Sequence, residues 1–317
     1  MADKYTPIDL KGLKTFPLKN RKSKVSIKEF GKAYKAKGSF RDFWKCLPSI
    51  LAGKELKEVV ARIVEAKRKD RPIVFGFGAH VIKVGLNPII ISLMEKGLVT
   101  AIALNGAGII HDTEIAMNGE TSEDVAAELE SGNFGMAEDT AKVVNQAIND
   151  GFDKGWGIGR SVGMRILNSD FLYKDLSILA TGARLDLPVT VHIAIGTDTI
   201  HMHPSFNGSK AGEGSHRDFR IFSSVISNMN GGVYVNVGSA VVLPEVFLKA
   251  LTLVRNLNYT VEKFTTVNMD FIRHYRPLTN VVSRPVSRGG KGYSFIGHHE
   301  VMIPLLAAAL IEGLEEE

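Results

Sequence analysis

A strand–helix–strand unit between residues 72 and 114 constrains the fold of this chain more than any other part of the sequence. Its first strand, Ile73–Gly76, is short and apolar, as is typical of a strand buried in a parallel sheet. A helix then begins at Asn87-Pro88, and Val99–Leu104 predicts the second strand. The glycine-rich turn Asn105-Gly106-Ala107-Gly108 follows at once. Because parallel sheets bind ligands at the carboxyl ends of their strands, this turn indicates a ligand site.

Strands and helices continue to alternate along the chain. The later predicted strands are Val189–Ala194, Val233–Val237 and Val261–Thr266. The predicted helices are Val25–Ala36, Ser39–Leu51, Leu56–Lys67, Met136–Ile148, Ile158–Leu167, Arg217–Met229 and Pro244–Leu257. This alternation predicts one α/β domain over residues 71–317, with a Rossmann-like, mainly parallel and doubly wound sheet. Residues 1–70 are expected to form an N-terminal arm with helices, and Arg288–Gly292 a glycine-rich loop.

Composition limits the class of protein. The single cysteine, Cys46, excludes an internal disulfide and suits a reducing compartment, so we expect a cytoplasmic protein. The longest apolar run, Val301–Leu310, is too short to cross a bilayer, and no apolar core of a signal peptide occurs near the N-terminus. Much of the net charge of +5 precedes residue 70, without interleaved aromatic residues or a recognition motif. Neither a membrane nor a nucleic acid is therefore predicted as a partner.

Polar residues cluster where the predicted strands end. They are His111, Asp112 and Glu114 after the second strand, Asp198 after the third, Gly238-Ser239 after the fourth, and Asn268 and Asp270 after the fifth. Because the carboxyl ends of parallel strands share one edge, these groups should converge on one crevice. Each group could instead cap a helix or satisfy loop backbone, but the set as a whole indicates a shared ligand site.

Two histidines leave a metal site open as an alternative to a site without metal. His201 and His203, in GTDTIHMHP, offer the imidazole ligands that zinc and iron prefer. Their short spacing in an irregular segment does not fix where the two rings point. The sequence has no G-x-G-x-x-G fingerprint and no Walker lysine motif.

Several segments resemble a known family. The run GFGAHVIKVGLNPIIISLMEKGLVTAIALNGAGIIHD resembles the N-terminal nucleotide-binding unit of deoxyhypusine synthase. The segments AIGTDTIHMHP, VNVGSAVVLPEVFLKA, TTVNMD and RPLTNVV follow in the family's order, so the resemblance extends from Gly76 to the C-terminus. It implies the parallel-sheet fold of NAD-binding relatives, NAD as cofactor, and a homo-oligomer with active sites near subunit interfaces.

The family's reactive groups are missing at the matching positions. The lysine that forms an imine with the substrate falls on Pro285, and the catalytic histidine falls on Pro244. Two acids of the family fall on His111 and His298. The positions that keep a ligand-binding residue of the family are Asp198, Gly238 and Thr266. The resemblance therefore implies a relative that is not a true deoxyhypusine synthase.

A shorter resemblance indicates amino-acid chemistry. Ala107–Glu114, ending in His-Asp-x-Glu, is similar to a motif of archaeal-type ornithine cyclodeaminases, whose NAD transiently oxidises an amino acid. We therefore predict an NAD-dependent enzyme with transferase- or deaminase-type chemistry on a small amine or amino acid. The alternatives are a metal-dependent hydrolase that uses His201 and His203, and a non-catalytic ligand-binding relative.

The predicted site residues follow from these assignments. His111 is the candidate acid–base, Asp112 orients it, and Asp198 holds a substrate ammonium or a ribose hydroxyl. Lys291 is a spare cation on a loop that closes over the site. The residues expected to face the cofactor are Gly78, Ala79, His80, Asn105, Gly106, Gly108, Gly238 and Thr266.

Overall fold

The computed structural model describes residues 5–315, which divide into two units. The first unit ends at Lys54 and the second begins at Glu55, whereas the sequence analysis starts the α/β domain at residue 71. The helix before the first strand accounts for the difference. Its side chains Val60 and Val64 are buried and lie beside Gly313 near the C-terminus, so this helix contributes to the core of the second unit.

The first unit contains little regular structure. Helix α1 spans Phe40–Cys46, within the predicted helix of that region. The predicted helix Val25–Ala36 is wrong, because only one 3₁₀ turn, Ile27–Glu29, forms there. Gly31 follows this turn and Phe30 is exposed, so neither helix propensity nor a packed apolar face stabilises a longer helix.

The second unit is built on a six-stranded sheet in which every pair of neighbouring strands is parallel. Its strands are β1 (Ile73–Phe77), β2 (Ala101–Asn105), β3 (Val189–His192), β4 (Val233–Val237), β5 (Thr265–Asp270) and β6 (Lys291–Ile296). The spatial order is β3-β2-β1-β4-β5-β6, which reverses direction between β1 and β4. In dinucleotide-binding sheets of this order, the ligand lies at the carboxyl ends of the strands at this switch point. The predicted Rossmann-like α/β fold is thus confirmed.

Helices cover both faces of the sheet, as the full burial of its central strands requires. They are α2 (Leu51–Arg68), α3 (His80–Lys83), α4 (Asn87–Glu95), α5 (Gly106–Asn118), α6 (Val125–Ser131), α7 (Glu138–Asp153), α8 (Ile158–Leu167), α9 (Ile178–Arg184), α10 (Gly208–Ser227), α11 (Val242–Asn256), α12 (Tyr275–Pro277) and α13 (His299–Leu314). Shorter turns are Leu18–Asn20, Lys174–Leu176, Thr199–Met202 and Pro285–Ser287, with a π-helical stretch at Leu278–Ser283. Between residues 5 and 315, we find no helix with both the length and the apolar character that crossing a membrane demands.

Aromatic stacking fixes one glycine of the first strand. The ring of Tyr234 on β4 stacks on Phe247 of α11 with centroids 3.9 Å apart. A Cβ atom at Gly76 would lie 2.4 Å from the Tyr234 hydroxyl. Gly76 is therefore a packing requirement of the core, and any larger side chain there would displace the tyrosine ring.

The largest differences from the predicted strands and loops occur at β5 and β6. The fifth strand was placed at Val261–Thr266, but β5 begins at Thr265 and continues to Asp270. Polar Asn268 was interpreted as following the strand, yet it lies inside it because Asn236 of β4 donates a hydrogen bond to it at 2.8 Å. The predicted loop Arg288–Gly292 extends too far, because its last two residues belong to β6, which begins at Lys291 and pairs with β5.

The turn after β2 is not a loop. Asn105 caps helix α5, because its Oδ1 accepts a hydrogen bond from the Gly108 amide at 3.0 Å. His111, Asp112 and Glu114 consequently lie on a helix. Helical geometry places His111 and Glu114 on one face and turns Asp112 to another.

A buried carboxylate joins α10 to the sheet and makes stability dependent on pH. Asp218 Oδ2 accepts hydrogen bonds from the amides of Gly159 and Val191 at 2.9 and 2.8 Å. Burial nevertheless raises the pKa of Asp218 to about 7. The folded protein therefore holds this proton more tightly than the unfolded chain, and the stability from this group is lost as pH rises through about 7.

We expect this linkage to be measurable as a difference between two proteins. Between about pH 5 and pH 8, the free energy of unfolding of the wild type should fall relative to that of Asp218→Asn, because the variant cannot ionise there. Urea unfolding at a series of pH values would show this trend. Parallel pH curves for the two proteins would contradict it.

Candidate functional site

A cavity of about 1060 Å³ opens beside the carboxyl ends of β2 and β3. Its walls come from α5, from the chain between Gly119 and Ala141, and from the segment Thr197–Ile200. The carboxylates in its lining are Glu114, Glu120, Glu123, Glu138, Asp139 and Asp198. Among the lining residues, Lys83 is the one lysine or arginine, and His111 is the one histidine. Such a surplus of acidic groups gives the cavity a negative potential that attracts cations.

The side chain of Asp198 lies beside the first turn of α5. The amide of Ala107 donates a hydrogen bond to its carboxylate. A Cβ atom at Gly106 would lie 1.9 Å from Asp198 Oδ2, so a glycine is needed for this approach. Burial raises the pKa of Asp198 to about 6, although the Ala107 amide opposes the shift. Its Oδ2 has no hydrogen-bond partner within the described chain.

The ring of His201 faces this carboxylate. Its Nδ1 accepts a hydrogen bond from the Gly196 amide at 3.1 Å, and its Nε2 lies 3.8 Å from Asp198 Oδ2. Phe206 packs against the ring with centroids 4.6 Å apart. Burial lowers the pKa of His201. Because Nδ1 is already used as an acceptor, the neutral ring carries its proton on Nε2 and has no free lone pair for a metal.

The second histidine of the metal alternative is also engaged. His203 Nδ1 accepts a hydrogen bond from the Ser205 amide at 3.1 Å and lies 2.7 Å from the Ser205 hydroxyl. Across residues 5–315, no group of three or more histidine, cysteine, aspartate or glutamate side chains is arranged to hold a metal ion. The described residues therefore give the metal-dependent hydrolase no ligand set.

His111 belongs to a chain of hydrogen bonds along the cavity wall. Its Nδ1 lies 2.6 Å from the Thr121 hydroxyl, which in turn donates to Glu114. Since the Thr121 proton goes to Glu114, the Thr121 oxygen accepts from His111 Nδ1–H. The neutral ring then has an unprotonated Nε2, as a general base requires. Burial raises the pKa of Glu114, but hydrogen bonds from His111 and Thr121 outweigh it and lower the pKa overall.

Asp112 does not orient His111, which corrects the sequence-based expectation. It is fully buried, and its carboxylate accepts hydrogen bonds from the Asn87 side chain, the Ser177 hydroxyl and the amides of Ile178 and Leu179. Burial raises the pKa of Asp112, opposed by these four donors. Its contacts join α5 to the start of α9, away from the cavity lining.

The switch point between β1 and β4 forms a second cluster. Gly238, with φ of +66°, leaves space for His299, whose Cε1 would be 2.6 Å from a Cβ atom there. His299 Nε2 lies 3.1 Å from the Met269 carbonyl, to which it donates, so its Nδ1 is unprotonated. The ring of His80, at the start of α3, lies 5.2 Å from that of His299. Gly238 does not line the cavity of about 1060 Å³ described above, here called the acidic cavity, whereas His111 and Asp198 both line it.

Three buried acceptor atoms near this switch point lack partners within the described chain: Asn236 Oδ1, Asp270 Oδ2 and His299 Nδ1. Such atoms are costly to bury unless a donor reaches them, so they indicate where a ligand's hydroxyl or amide groups could bind. The sequence predicts Asp270 at a strand end and offers His299 as an alternative metal ligand, but gives Asn236 no role. Asn236 lies in β4, and His299 is the first residue of α13, shortly after β6.

Two predicted site residues lie elsewhere. Lys291 is the first residue of β6, at the amino ends of the parallel strands, and its ammonium pairs with Glu58 at 2.5 Å. The end of the expected closing loop is therefore part of a strand. Thr266 is fully buried in β5 beside Tyr234 and lies well before the carboxyl end of that strand. Neither residue lines the acidic cavity.

The remaining cofactor residues surround the first two strand ends. A Cβ atom at Gly78 would lie 3.4 Å from Asn105 Nδ2, so the turn after β1 contacts the end of β2. Ala79 precedes helix α3, whose last residue, Lys83, lines the acidic cavity. Gly108 packs against Leu104 inside α5. The switch point and the acidic cavity are thus neighbours along one edge of the sheet.

Comparison with known proteins supports the fold. No family model and no curated protein matches this sequence. The chain is similar to the solved structure of ArgZ, an arginine dihydrolase from the ornithine–ammonia cycle in cyanobacteria, with a TM-score of 0.52 and 16% identity over 83% of this chain and 33% of ArgZ. It is also similar to AgrE solved with ornithine and NAD⁺, with a TM-score of 0.50 and 14% identity over 83% of this chain and 33% of AgrE.

A third similar structure matches along almost its whole length. It is a deoxyhypusine synthase-like protein from Entamoeba histolytica, with a TM-score of 0.50 and 12% identity over 89% of this chain and 96% of that protein. By contrast, this chain spans about a third of ArgZ and of AgrE. At such low identity these similarities establish a shared fold.

Proposed function

We propose that this chain is an NAD-dependent enzyme that acts on a small amine or amino acid and is not a true deoxyhypusine synthase. The acidic cavity carries the proposal. Its carboxylates outnumber its cations, and one of them, Asp198, is buried with an unpartnered oxygen. A protonated amine supplies both the charge and the N–H donors that this lining lacks.

The switch point fits NAD as the cofactor. The strand order places the carboxyl ends of β1 and β4 side by side, and Gly78 and Gly238 are both half-buried there. The unpartnered oxygens of Asn236 and Asp270 can accept hydrogen bonds from hydroxyl or amide groups of a dinucleotide. Bound NAD⁺ would supply a hydride acceptor. AgrE, which shares this fold, was solved with ornithine and NAD⁺, and that supports the pairing of the two ligands.

The chain's own residues supply substrate binding and proton transfer. Asp198 holds the ammonium group of the substrate, because its carboxylate faces the cavity without a cation of its own. His111, held by Thr121 and Glu114, offers Nε2 as the general base. Asp112 takes no part in the chemistry in this proposal, and Glu114 takes over the orienting role.

The residue at the position of the family's imine-forming lysine cannot form an imine with a substrate here. Pro285 occupies it, buried within the 3₁₀ turn Pro285–Ser287. Proline has no side-chain amine, and Lys291 lies at the amino ends of the strands. A covalent imine between enzyme and substrate is therefore not part of the proposed chemistry. We further propose that the chain forms a homo-oligomer with sites near subunit interfaces, as its deoxyhypusine synthase-like features imply.

The proposal is tested with matched ligands. Calorimetry should show NAD⁺ binding, and 1,4-diaminobutane should bind better than succinate, which has the same chain length and opposite charge. Amine binding should weaken as salt concentration rises. Absorbance at 340 nm across a set of amines and amino acids then tests for NADH formation. Preferential succinate binding would contradict the amine assignment, and NAD⁺ binding without any turnover would favour the non-catalytic relative.

Replacing His111 with asparagine should lower turnover roughly a hundredfold, because asparagine keeps hydrogen bonding to Thr121 but cannot accept a proton near neutral pH. NAD⁺ binding and the melting temperature should stay close to those of the wild type. Thr121→Ser, which keeps the hydroxyl, is the matched control and should remain active. Full activity of His111→Asn would rule out the general-base role.

A further inference from the structure

We propose that His201 is a positioning residue that donates its Nε2–H to Asp198 Oδ2 and thereby sets the pH range in which Asp198 accepts a proton. The pairing itself rests on the geometry of the protein alone. Its role toward an amine rests on the proposed function.

The ring proton of His201 has one available position. The Gly196 amide donates to Nδ1 at 3.1 Å, and a backbone amide is always a donor. A neutral imidazole that accepts at Nδ1 carries its proton on Nε2. The Nε2–H group lies 3.8 Å from Asp198 Oδ2, so a donor faces an acceptor.

Both atoms lack any other partner. His201 Nε2 and Asp198 Oδ2 are buried without hydrogen bonds within the described chain, and their side chains are 4% and 5% exposed. An unpaired donor and an unpaired acceptor that face each other at this distance need only a small movement to pair. Phe206 holds the ring from one side, and the missing side chain of Gly106 leaves room for the carboxylate on the other.

The surroundings of Asp198 make its ionisation sensitive to the single donor that His201 supplies. The groups that line the same cavity are Lys83 from α3, His111 and Glu114 from α5, Glu120 and Glu123 from the segment after α5, and Glu138 and Asp139 from α7. Most of them are carboxylates, whereas the raised pKa of Asp198 comes from its burial. The donors on Asp198 are the Ala107 amide and, in this proposal, the His201 ring, and both favour the ionised form.

The role in catalysis is a proton transfer in which His201 keeps its own proton. A bound ammonium, R–NH₃⁺, gives one proton to the ionised carboxylate of Asp198. The electron pair of the broken N–H bond stays on nitrogen, so the products are a neutral amine and a protonated carboxyl group. By stabilising the carboxylate, His201 keeps Asp198 ready to accept that proton near neutral pH.

The tautomer of His201 is tested by long-range ¹H–¹⁵N NMR of protein labelled at histidine, without NAD or amine. The His201 signals are identified by their loss in His201→Gln. At pH 7 they should show a neutral ring protonated at Nε2. A ring protonated at Nδ1, or a doubly protonated ring, would overturn the proposal.

The pKa of Asp198 is tested by ¹³C NMR of aspartate-labelled protein, with the Asp198 signal assigned by Asp198→Asn. His201→Phe keeps an aromatic ring but removes the donor, and should raise the pKa of Asp198 by about one pH unit. His201→Gln, which retains an N–H donor, should raise it less. His203→Gln is the control from the same segment and should leave it unchanged. An unchanged pKa in a folded His201→Phe protein would overturn the proposal, whereas failure of amine binding alone would count against the proposed function only.

Discussion

Replacing Asp112 with alanine should lower the free energy of unfolding by about 3 kcal/mol or more. The substitution removes the acceptor of four hydrogen bonds inside the protein, from Asn87, Ser177, Ile178 and Leu179. Asn87 would keep its other hydrogen bond, to the Leu176 carbonyl, but the Ser177 hydroxyl and the amides of Ile178 and Leu179 would lose their buried acceptor. Burying unsatisfied donors is among the few mechanisms that give a single substitution a large effect.

Thermal and urea unfolding measure this loss. Asp112→Asn should be destabilised less, because its amide oxygen still accepts from part of the donor set. Asp153→Ala is the matched control, since its carboxylate is exposed and lies 3.5 Å from Lys210, and its melting temperature should hardly change. If Asp112→Ala melted together with Asp153→Ala, the structural role of Asp112 would be refuted.

The predicted role of Asp112 shows which contacts at this site the sequence indicates and which it does not. The adjacent pair His111-Asp112 was interpreted as an acid–base and its orienting carboxylate, on the assumption that both follow a loop. On a helix, neighbouring residues point in different directions, whereas residues three apart lie on one face. The partner of His111 is therefore Glu114, through Thr121. The cap at Asn105, which begins this helix, was visible in the sequence and would have indicated the partner.

The fold was predictable because its strongest signals are local. Helix α8 and strand β4 match their predicted bounds at Ile158–Leu167 and Val233–Val237. The errors occur where tertiary contacts override local pattern. Asn268 continues β5 because Asn236 satisfies its side chain, and β6 forms at the sheet edge directly after a glycine-rich turn. The local sequence pattern does not indicate that a neighbouring strand will supply the missing hydrogen bond.

The site was predictable in its location and less so in its contacts. Parallel topology predicts that His111, Asp198 and Gly238 line one cavity, and the first two do so whereas Gly238 does not. Gly106 was interpreted as room for a cofactor, whereas its missing side chain makes room for Asp198. Contacts of this kind join segments far apart in the chain. Such contacts are set by how the helices pack on the sheet.

Replacing Asp198 with asparagine should separate function from stability. Turnover should fall by about a thousandfold, because the amide can neither accept a proton nor hold an ammonium group with an opposite charge. The protein should nevertheless remain folded and become slightly more stable at pH 8. Asp198 is a buried carboxylate without a cation and with one unpartnered oxygen, so its charge is unfavourable in the folded state.

The pH dependence distinguishes this account from a structural role. Burial raises the pKa of Asp198 to about 6, so the folded wild type loses stability from this group as pH rises through that value. The stability gained by Asp198→Asn should therefore be largest near pH 8 and vanish near pH 4. Urea unfolding at both pH values, with NADH-linked turnover on the same samples, makes the comparison. A buried charge that weakens the folded state is expected to be kept only where it serves function. A variant that is less stable at pH 8 yet fully active would therefore show that Asp198 serves the fold.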